Sequence, residues 1–426
     1  MNGHAVVLGA GIGGLASAAA LSAHFSEVTV VERDVLPDTA GTRRGVPQGA
    51  QVHGLLARGL EAFEELFPGF VAELREFGAP QGDLLADMHW YFDGHLLHPA
   101  TSGLTGFGIS RPALEQVLRR RVRALPNVRV RDGSTARRLV AGGARVTGVE
   151  LDEHRLDADL VVDTTGRATR SPVWLRELGY PAPHREDVRV GICYVTHLLR
   201  RRPEHLGGRL GAALASYPGR PRGAFVLAQE GSTFAVTTSG RHGVVPPVDH
   251  RGLVNWVDRL GVAEVTDVVA TTEPLAEARL MRYPASSRHR YERLSRFPEG
   301  YLVMGDALCS FNPVYGQGMT VAATEALLLR RLLAAGADRL ARRFFREAAL
   351  LLDAPWQLAS GGDLRFEPQS AVDKLVNAYR STLYRSAASD PVLSKRLFRV
   401  ANLLDPPSRL MGPSTVARVL RGTMRR

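Results

Sequence analysis

Three features of the sequence predict an α/β fold. A strand, a glycine turn, a helix and a second strand follow one another between His4 and Glu32. A further buried strand and a long helix return much later, at Tyr301–Met304 and Gly318–Ala335. Between them lie stretches rich in β-branched and aromatic residues, and the chain closes on a mostly helical segment.

The elements follow in order. His4–Leu8 reads as a short buried strand, Gly13–His24 as a helix of small residues and Val28–Glu32 as the second strand. An arginine-rich loop, Arg33–Pro47, precedes apolar residues at helical spacing (Val52, Leu55, Leu56, Leu60, Phe63), which predict a helix over Gln48–Phe67 stopping at Pro68-Gly69. Asp87–Ile109 alternates and carries aromatics, with Asp93-Gly94 as a hairpin signal. Ser110 caps a helix reaching about Leu125, with Pro112 in its first turn, and strands are expected at Val128–Arg131, Val146–Leu151 and Leu160–Asp163. The stretches Val188–His197 and Ala224–Thr238 read as β, joined by one clear helix around Leu253–Leu260.

Composition narrows the function classes. A chain of 426 residues with 45% hydrophobic content is long enough for two intertwined units. Cys193 and Cys309 are its only cysteines and lie far apart, which argues against a disulfide framework and for a reducing, cytoplasmic setting. The formal charge is +11, and all but two of the 54 basic residues are arginine, the exceptions being Lys374 and Lys395. These cations are dispersed, apart from Arg119, Arg120, Arg121 and Arg123 on a predicted helix and a short tail, Arg421, Arg425 and Arg426. Dispersed charge gives no nucleic-acid footprint, so none is expected as a partner. The uncharged run Ala5–Ala23 is about long enough for a membrane span, but its glycines and its continuation into a strand predict neither stable membrane insertion nor a targeting segment.

Two motifs carry chemistry. Gly9-Ala10-Gly11-Ile12-Gly13-Gly14 fits G-x-G-x-x-G directly after a strand, where backbone N–H groups at a helix start can approach a pyrophosphate. Glu32 closes the second strand 18 residues beyond Gly14, placed to accept hydrogen bonds from ribose hydroxyls. Downstream, Gly305-Asp306 ends a strand and Asn312-Pro313-Val-Tyr-Gly316-Gln-Gly318-Met319 opens a helix, an arrangement that presents a carboxylate and then a positive dipole end.

This second run resembles the second FAD fingerprint of FAD-dependent monooxygenases with the aromatic-hydroxylase fold. Ser110-Arg111-Pro112 and Asp163-Thr-Thr-Gly166-Arg167 stand in the order that this superfamily uses, the latter looking like the Ala-Thr-Gly form of epoxidase-like members. The loop Arg43-Arg44-Gly45-Val46-Pro47-Gln48 and the phrase Asp353-Ala-Pro-Trp356 look like actinobacterial epoxidases of polyether precursors, relatives of squalene epoxidase. The resemblance spans about Ala5–Ala359.

It implies a Rossmann-like FAD-binding domain (1–86, 109–170 and 285–345), an inserted β-rich substrate domain (87–108 and 171–284) and a helical C-terminal segment (346–426). It also implies FAD held by Gly9, Gly11, Gly13, Gly14, Glu32, Arg33, Arg43, Gln48, Arg111, Gly305, Asp306, Pro313, Gly316, Gly318 and Met319, with Arg111 on the flavin phosphate or ribityl chain. Arg43, Gln48 and His53 face either flavin or substrate. The activity implied is transfer of one oxygen atom from a flavin C4a-hydroperoxide to an apolar small molecule, foremost alkene epoxidation of a polyketide or terpenoid in secondary-metabolite biosynthesis. Aromatic or indole hydroxylation is the alternative, and a prenyl-chain reductase would share the same motifs.

No second G-x-G-x-x-G occurs, so NADPH or NADH either docks transiently or acts through a separate flavin reductase. No catalytic side chain is assigned, since the flavin carries the difficult step. A halogenase on the same scaffold would need a lysine in the cofactor domain, and both lysines lie beyond residue 370. His53, His89, His95, His98 and His197 lack companion ligands at metal spacing. Trp90, Tyr91, Phe92 and Phe107 either line an apolar pocket or form core.

Overall fold

The computed structural model describes residues 3–152 and 154–424, so Arg425 and Arg426 of the basic tail lie outside the described residues. Its centre is a five-stranded parallel sheet in the order Tyr301–Val303, Leu160–Asp163, His4–Leu8, Glu27–Val31, Val128–Arg131. Ala5, Val6, Val7, Val161, Val162, Leu302 and Val303 are fully buried, the continuous apolar pattern of strands covered on both faces. The helices Ile12–Ser22 and Gln317–Ala334 pack together over this sheet, closely enough that a Cβ on Gly13 would touch Ala322 at 3.6 Å.

The other large element is an eight-stranded sheet in the order Cys309–Ser310, Arg279–His289, Arg185–Arg200, Thr233–Gly240, Arg222–Gln229, Gly211–Leu214, Met88–Phe92, His95–Leu96. The second fingerprint thus leaves the parallel sheet at Val303 and six residues later pairs with the edge of this one, Cys309 opposite Arg288. The strand Arg279–His289 runs across residue 284, so the expected boundary there falls inside one strand of the large sheet, and residues 290–300 lead from it to the parallel strand Tyr301–Val303. Four helices complete the C-terminal region, Leu340–Asp363, Ala371–Ala387, Pro391–Ala401 and Pro413–Met424.

Several sequence expectations are met closely. Ser110 accepts from the Ala113 N–H and caps the helix Arg111–Arg123. Asp93 and Gly94 take φ of 48° and 81° and close the hairpin between Met88–Phe92 and His95–Leu96.

Others are corrected. Gln48–Phe67 is not one helix: a short 3₁₀ turn covers Pro47–Ala50, Gly54 bridges Gly108, and only Ala57–Leu66 is α-helical. The large sheet takes the intervening segment, because the Gln51 amide donates to Arg279 O and accepts from Thr196, while Val52 N–H donates to Thr237 Oγ1. Helical spacing of Val52 and Leu55 therefore described burial without periodic structure.

The stretch Ala224–Thr238 is a hairpin turning at Gly231-Ser232, and the region 171–284 holds three helices where one was expected. Ala263–Ala270 was hidden by its β-branched residues, although Val265, Val268 and Val269 bury one helical face. The arginine-rich strand Ala136–Gly142 and the short Arg155–Asp157 pair with Arg145–Leu151 in a separate sheet that composition did not announce.

Trp90 and Phe92 belong to core: Trp90 packs edge-on to Phe398 at 4.9 Å and donates its indole N–H to Leu84 O, and Phe92 stacks on Tyr384. Phe107 is buried in the main core. Among the described residues no helix is long and apolar enough to cross a membrane, and no group of three potential ligands could hold a metal.

Candidate cofactor cleft

All five parallel strands point their carboxyl ends into one cleft. Gly9 and Gly11 follow the first strand, Glu32 the second, Ser134 the strand Val128–Arg131, Thr164 the strand Leu160–Asp163, and Gly305 the strand Tyr301–Val303. Open parallel sheets bind ligands at this edge, where the strand order reverses. Every site residue expected from the sequence except Gly14 lines the cleft.

Gly14 lies behind it. A Cβ there would sit 1.8 Å from Gly9 O, so this glycine lets the helix Ile12–Ser22 press onto the first turn. Gly9 itself takes φ of +100°, and its N–H donates to Val31 O. A Cβ on Gly11 would face open cleft, with only Arg43 Nη2 as near as 3.9 Å.

Two helix starts meet in this space. Gly11 and Gly316 are the N-terminal caps of Ile12–Ser22 and Gln317–Ala334, neither start is capped by a side chain, and Gly316 makes its turn at φ of +65°. Unsatisfied N–H groups and the positive ends of two dipoles therefore converge on one volume, which favours an anionic ligand.

Glu32 is buried and already has donors. Its Oε2 accepts from Ala10 N–H at 2.8 Å and lies 3.0 Å from Arg43 Nη1, while Oε1 accepts from Asp34 N–H. A carboxylate offers about four lone-pair positions, which leaves room for a hydroxyl donor. Arg43 also reaches Glu115 at 3.0 Å and Ala10 O at 3.1 Å, and Arg111 donates to the other Glu115 oxygen at 2.7 Å. Burial opposes the charge on Glu115, yet Arg111 and Arg43 together hold its carboxyl below the usual range. Both arginines are thereby fixed by protein carboxylates while lining the cleft. Arg33 is exposed at the rim, and Gln48 half-buried.

Burial raises the Asp306 carboxyl, with Arg111 and Arg167 acting against that rise. Desolvation and the neighbouring Arg111 push His53 down to about 4, so its imidazole is neutral near pH 7. Its Nδ1 pairs with Gln51 O at 2.8 Å.

Ser134–Ala136, missed by motif reading, also lines the cleft, together with Thr164–Gly166 of the Ala-Thr-Gly-like motif. The signal available for the first group was topological, since it follows the parallel strand Val128–Arg131. Asp163 organises the second group from behind: it accepts from Thr165 N–H and Oγ and pairs with Thr169 and Ser171.

Glu325 was missed as well. Fully buried midway along Gln317–Ala334, it accepts the Gly305 N–H at 2.6 Å through Oε2, while Oε1 has no partner. Burial pushes its carboxyl to about 8, so it is protonated at neutral pH. A folded value above the unfolded one gives stability that is full below the ordinary glutamate range and lost as pH rises through about 8. Glu325→Gln keeps the acceptor and removes the titration. Its stability relative to the parent should therefore rise by on the order of a few kcal/mol between pH 5 and pH 9, read from denaturant midpoints.

No family model matches the chain. Protein Rv3254 of Mycobacterium tuberculosis (strain ATCC 25618 / H37Rv) is 36% identical over 431 residues, covering 94% of this chain and 90% of that protein. The chain belongs to the Rv3254 family. Among solved structures, the flavoprotein/dehydrogenase of Cytophaga hutchinsonii superposes with a TM-score of 0.70 at 14% identity, over 100% of this chain and 99% of that one. PqsL of Pseudomonas aeruginosa, a probable FAD-dependent monooxygenase, gives 0.65 at 17% identity, over 86% and 98%. These likenesses establish the fold for this Rv3254-family chain, an α/β fold shared with FAD-dependent monooxygenases.

Proposed function

We propose that this chain is an FAD-dependent monooxygenase that adds one oxygen atom from O₂ to an apolar small molecule, foremost by epoxidising an alkene of a polyketide or terpenoid. The convergence of two uncapped helix starts, Gly11 and Gly316, on a cleft that also holds Glu32 and Asp306 carries this reading. The first helix start suits a pyrophosphate, Glu32 the adenosine ribose, and Asp306 the ribityl hydroxyls. Bound FAD would supply the oxygen-activating chemistry. The protein's share is to hold the cofactor, exclude water and place the N–H groups of Gln317–Met319 where reduced flavin carries negative charge.

The remaining assignments follow from the same reading. Residues 1–86, 109–170 and 285–345 form the cofactor unit, 87–108 and 171–284 the acceptor unit, and 346–426 a helical flank. Electrons come from NADPH or NADH, delivered directly or through a separate reductase. Epoxidation is placed before hydroxylation on the epoxidase-like loop Arg43–Gln48 and the Thr-Thr-Gly166 motif, both of which line or border the cleft.

Purified full-length chain mixed with FAD should retain it, and Asp306→Ala should weaken retention by about tenfold or more, the scale of a charged hydrogen bond. Because burial already raises Asp306, the variant's unfolding midpoint should stay equal or increase. With ¹⁸O₂, a reductant and a panel of alkene acceptors, the product should gain one labelled atom. Loss of a double bond without label would replace this reading with the reductase one.

A further inference from the structure

A buried polar knot lies beside the second fingerprint, outside the residues assigned to the cofactor. Asp363 ends the helix Leu340–Asp363 and is 1% exposed. One of its oxygens, Oδ1, accepts from Arg241 Nη2 at 2.8 Å, Asn312 Nδ2 at 2.8 Å and Tyr315 OH at 3.0 Å. The other, Oδ2, is buried without a partner.

The donors come from two parts of the fold. Arg241 follows the strand Thr233–Gly240 of the large sheet, and its guanidinium lies 4.3 Å from the Phe366 ring centre. Asn312 and Tyr315 belong to the turn that precedes Gly316. Asn312 is fully buried and also accepts from Val314 N–H and from Tyr194 OH, the latter on the strand Arg185–Arg200. Gly362 makes room for the knot, since a Cβ there would meet Tyr315 OH at 2.2 Å.

Helix packing does not require this arrangement. Leu340–Asp363 already buries an apolar stripe that includes Phe344, Phe345, Leu352 and Trp356. A buried ion pair is costly to desolvate and is often replaceable by apolar side chains without loss of stability, while three donors converging on one buried oxygen constrain where each can sit. What the knot fixes is the turn 312–315, and through it the position of Gly316–Met319.

We propose that Asp363 is a positioning residue that locks the turn 312–315 to the large sheet and so holds the Gln317–Met319 N–H groups in register for the anionic edge of reduced flavin. The proposal rests on the FAD reading for its second half only. The locking itself is a property of the chain without cofactor.

Two variants separate these halves. Asp363→Asn keeps the shape and removes the charge opposite Arg241. Tyr194→Phe removes one hydroxyl from the knot and no charge. In flavin-free full-length protein, amide hydrogen exchange of residues 314–318 should quicken about tenfold or more in both variants, with exchange in the strands His4–Leu8 and Leu160–Asp163 unchanged. Unchanged exchange at 314–318 in a variant that unfolds at the parent's denaturant midpoint overturns the lock.

With FAD, the ratio of reduced-FAD to oxidised-FAD affinity, obtained from reduction against a reference dye, should fall about tenfold in Asp363→Asn, while ADP affinity stays within twofold of the parent. A parent-like ratio overturns the role at flavin and leaves the FAD reading standing. Failure of the parent itself to bind FAD overturns that reading and the flavin half together, whereas the exchange result still decides the lock.

Discussion

Replacing Gly14 with alanine should cost about 3 kcal/mol or more and abolish measurable FAD retention. The added methyl would lie 1.8 Å from Gly9 O and 2.8 Å from Thr164 Oγ1. A backbone carbonyl cannot turn aside as a side chain can, so either the helix Ile12–Ser22 lifts from the sheet or the turn Gly9–Gly11 moves. Overpacking of this kind ordinarily costs 1 to roughly 3 kcal/mol, and a backbone clash stands at the upper end. The same substitution one residue earlier is the control. A methyl on Gly13 would meet Ala322 at 3.6 Å, an ordinary contact, and alanine favours a helix over glycine, so Gly13→Ala should unfold within about 0.5 kcal/mol of the parent. Urea denaturation of both variants checks the contrast, and equal midpoints would refute the clash argument.

Arg43→Met should be the most damaging single change of charge, with a loss of about 3–5 kcal/mol. Arg43 reaches Glu32 and Glu115 at 3.0 Å each, and all three side chains are 7% exposed or less. Removing the cation leaves Glu32 without its ion pair and Glu115 with Arg111 alone, both still out of water. The pH dependence identifies the mechanism. Glu115 is held below its ordinary value of 4.5 in the folded protein, so the stability it contributes is present above that pH and lost as pH falls through the folded value. The variant lacks part of that contribution. Its deficit against the parent should therefore be full near pH 7 and narrow below about pH 4.5, measured by urea midpoints across the series. A deficit independent of pH would assign the loss to packing of the arginine stem instead.

The chain's local patterns carried much of this architecture. Continuous apolar runs such as Ala5–Leu8 and Leu160–Val162 can only be buried on both faces, and the glycine turn after the first determines that a helix follows. Ser110 and Asp93-Gly94 acted through their own backbone, which is why a cap and a hairpin turn were readable residue by residue. The same holds for the line of candidate site residues, since motifs at strand ends are placed by the strands themselves.

What local pattern could not supply was the choice of partner. Gln48–Leu56 has helical apolar spacing but gives its polar groups to Thr196, Thr237 and Arg279, residues 145 to 228 positions away. Glu325 resembles any helix-surface glutamate until the packing of Gln317–Ala334 beneath Gly305 removes it from water and leaves it protonated. Asp363, Arg241, Asn312, Tyr315 and Tyr194 form no motif, because the hydrogen bonds that unite them exist only once the large sheet, the C-terminal helix and the second fingerprint meet. The sequence by itself thus determined the elements and the glycine turns, whose causes lie within a few residues of chain. The tertiary structure decided which polar groups are buried together, because desolvation and long-range hydrogen bonding depend on neighbours that sequence order does not reveal.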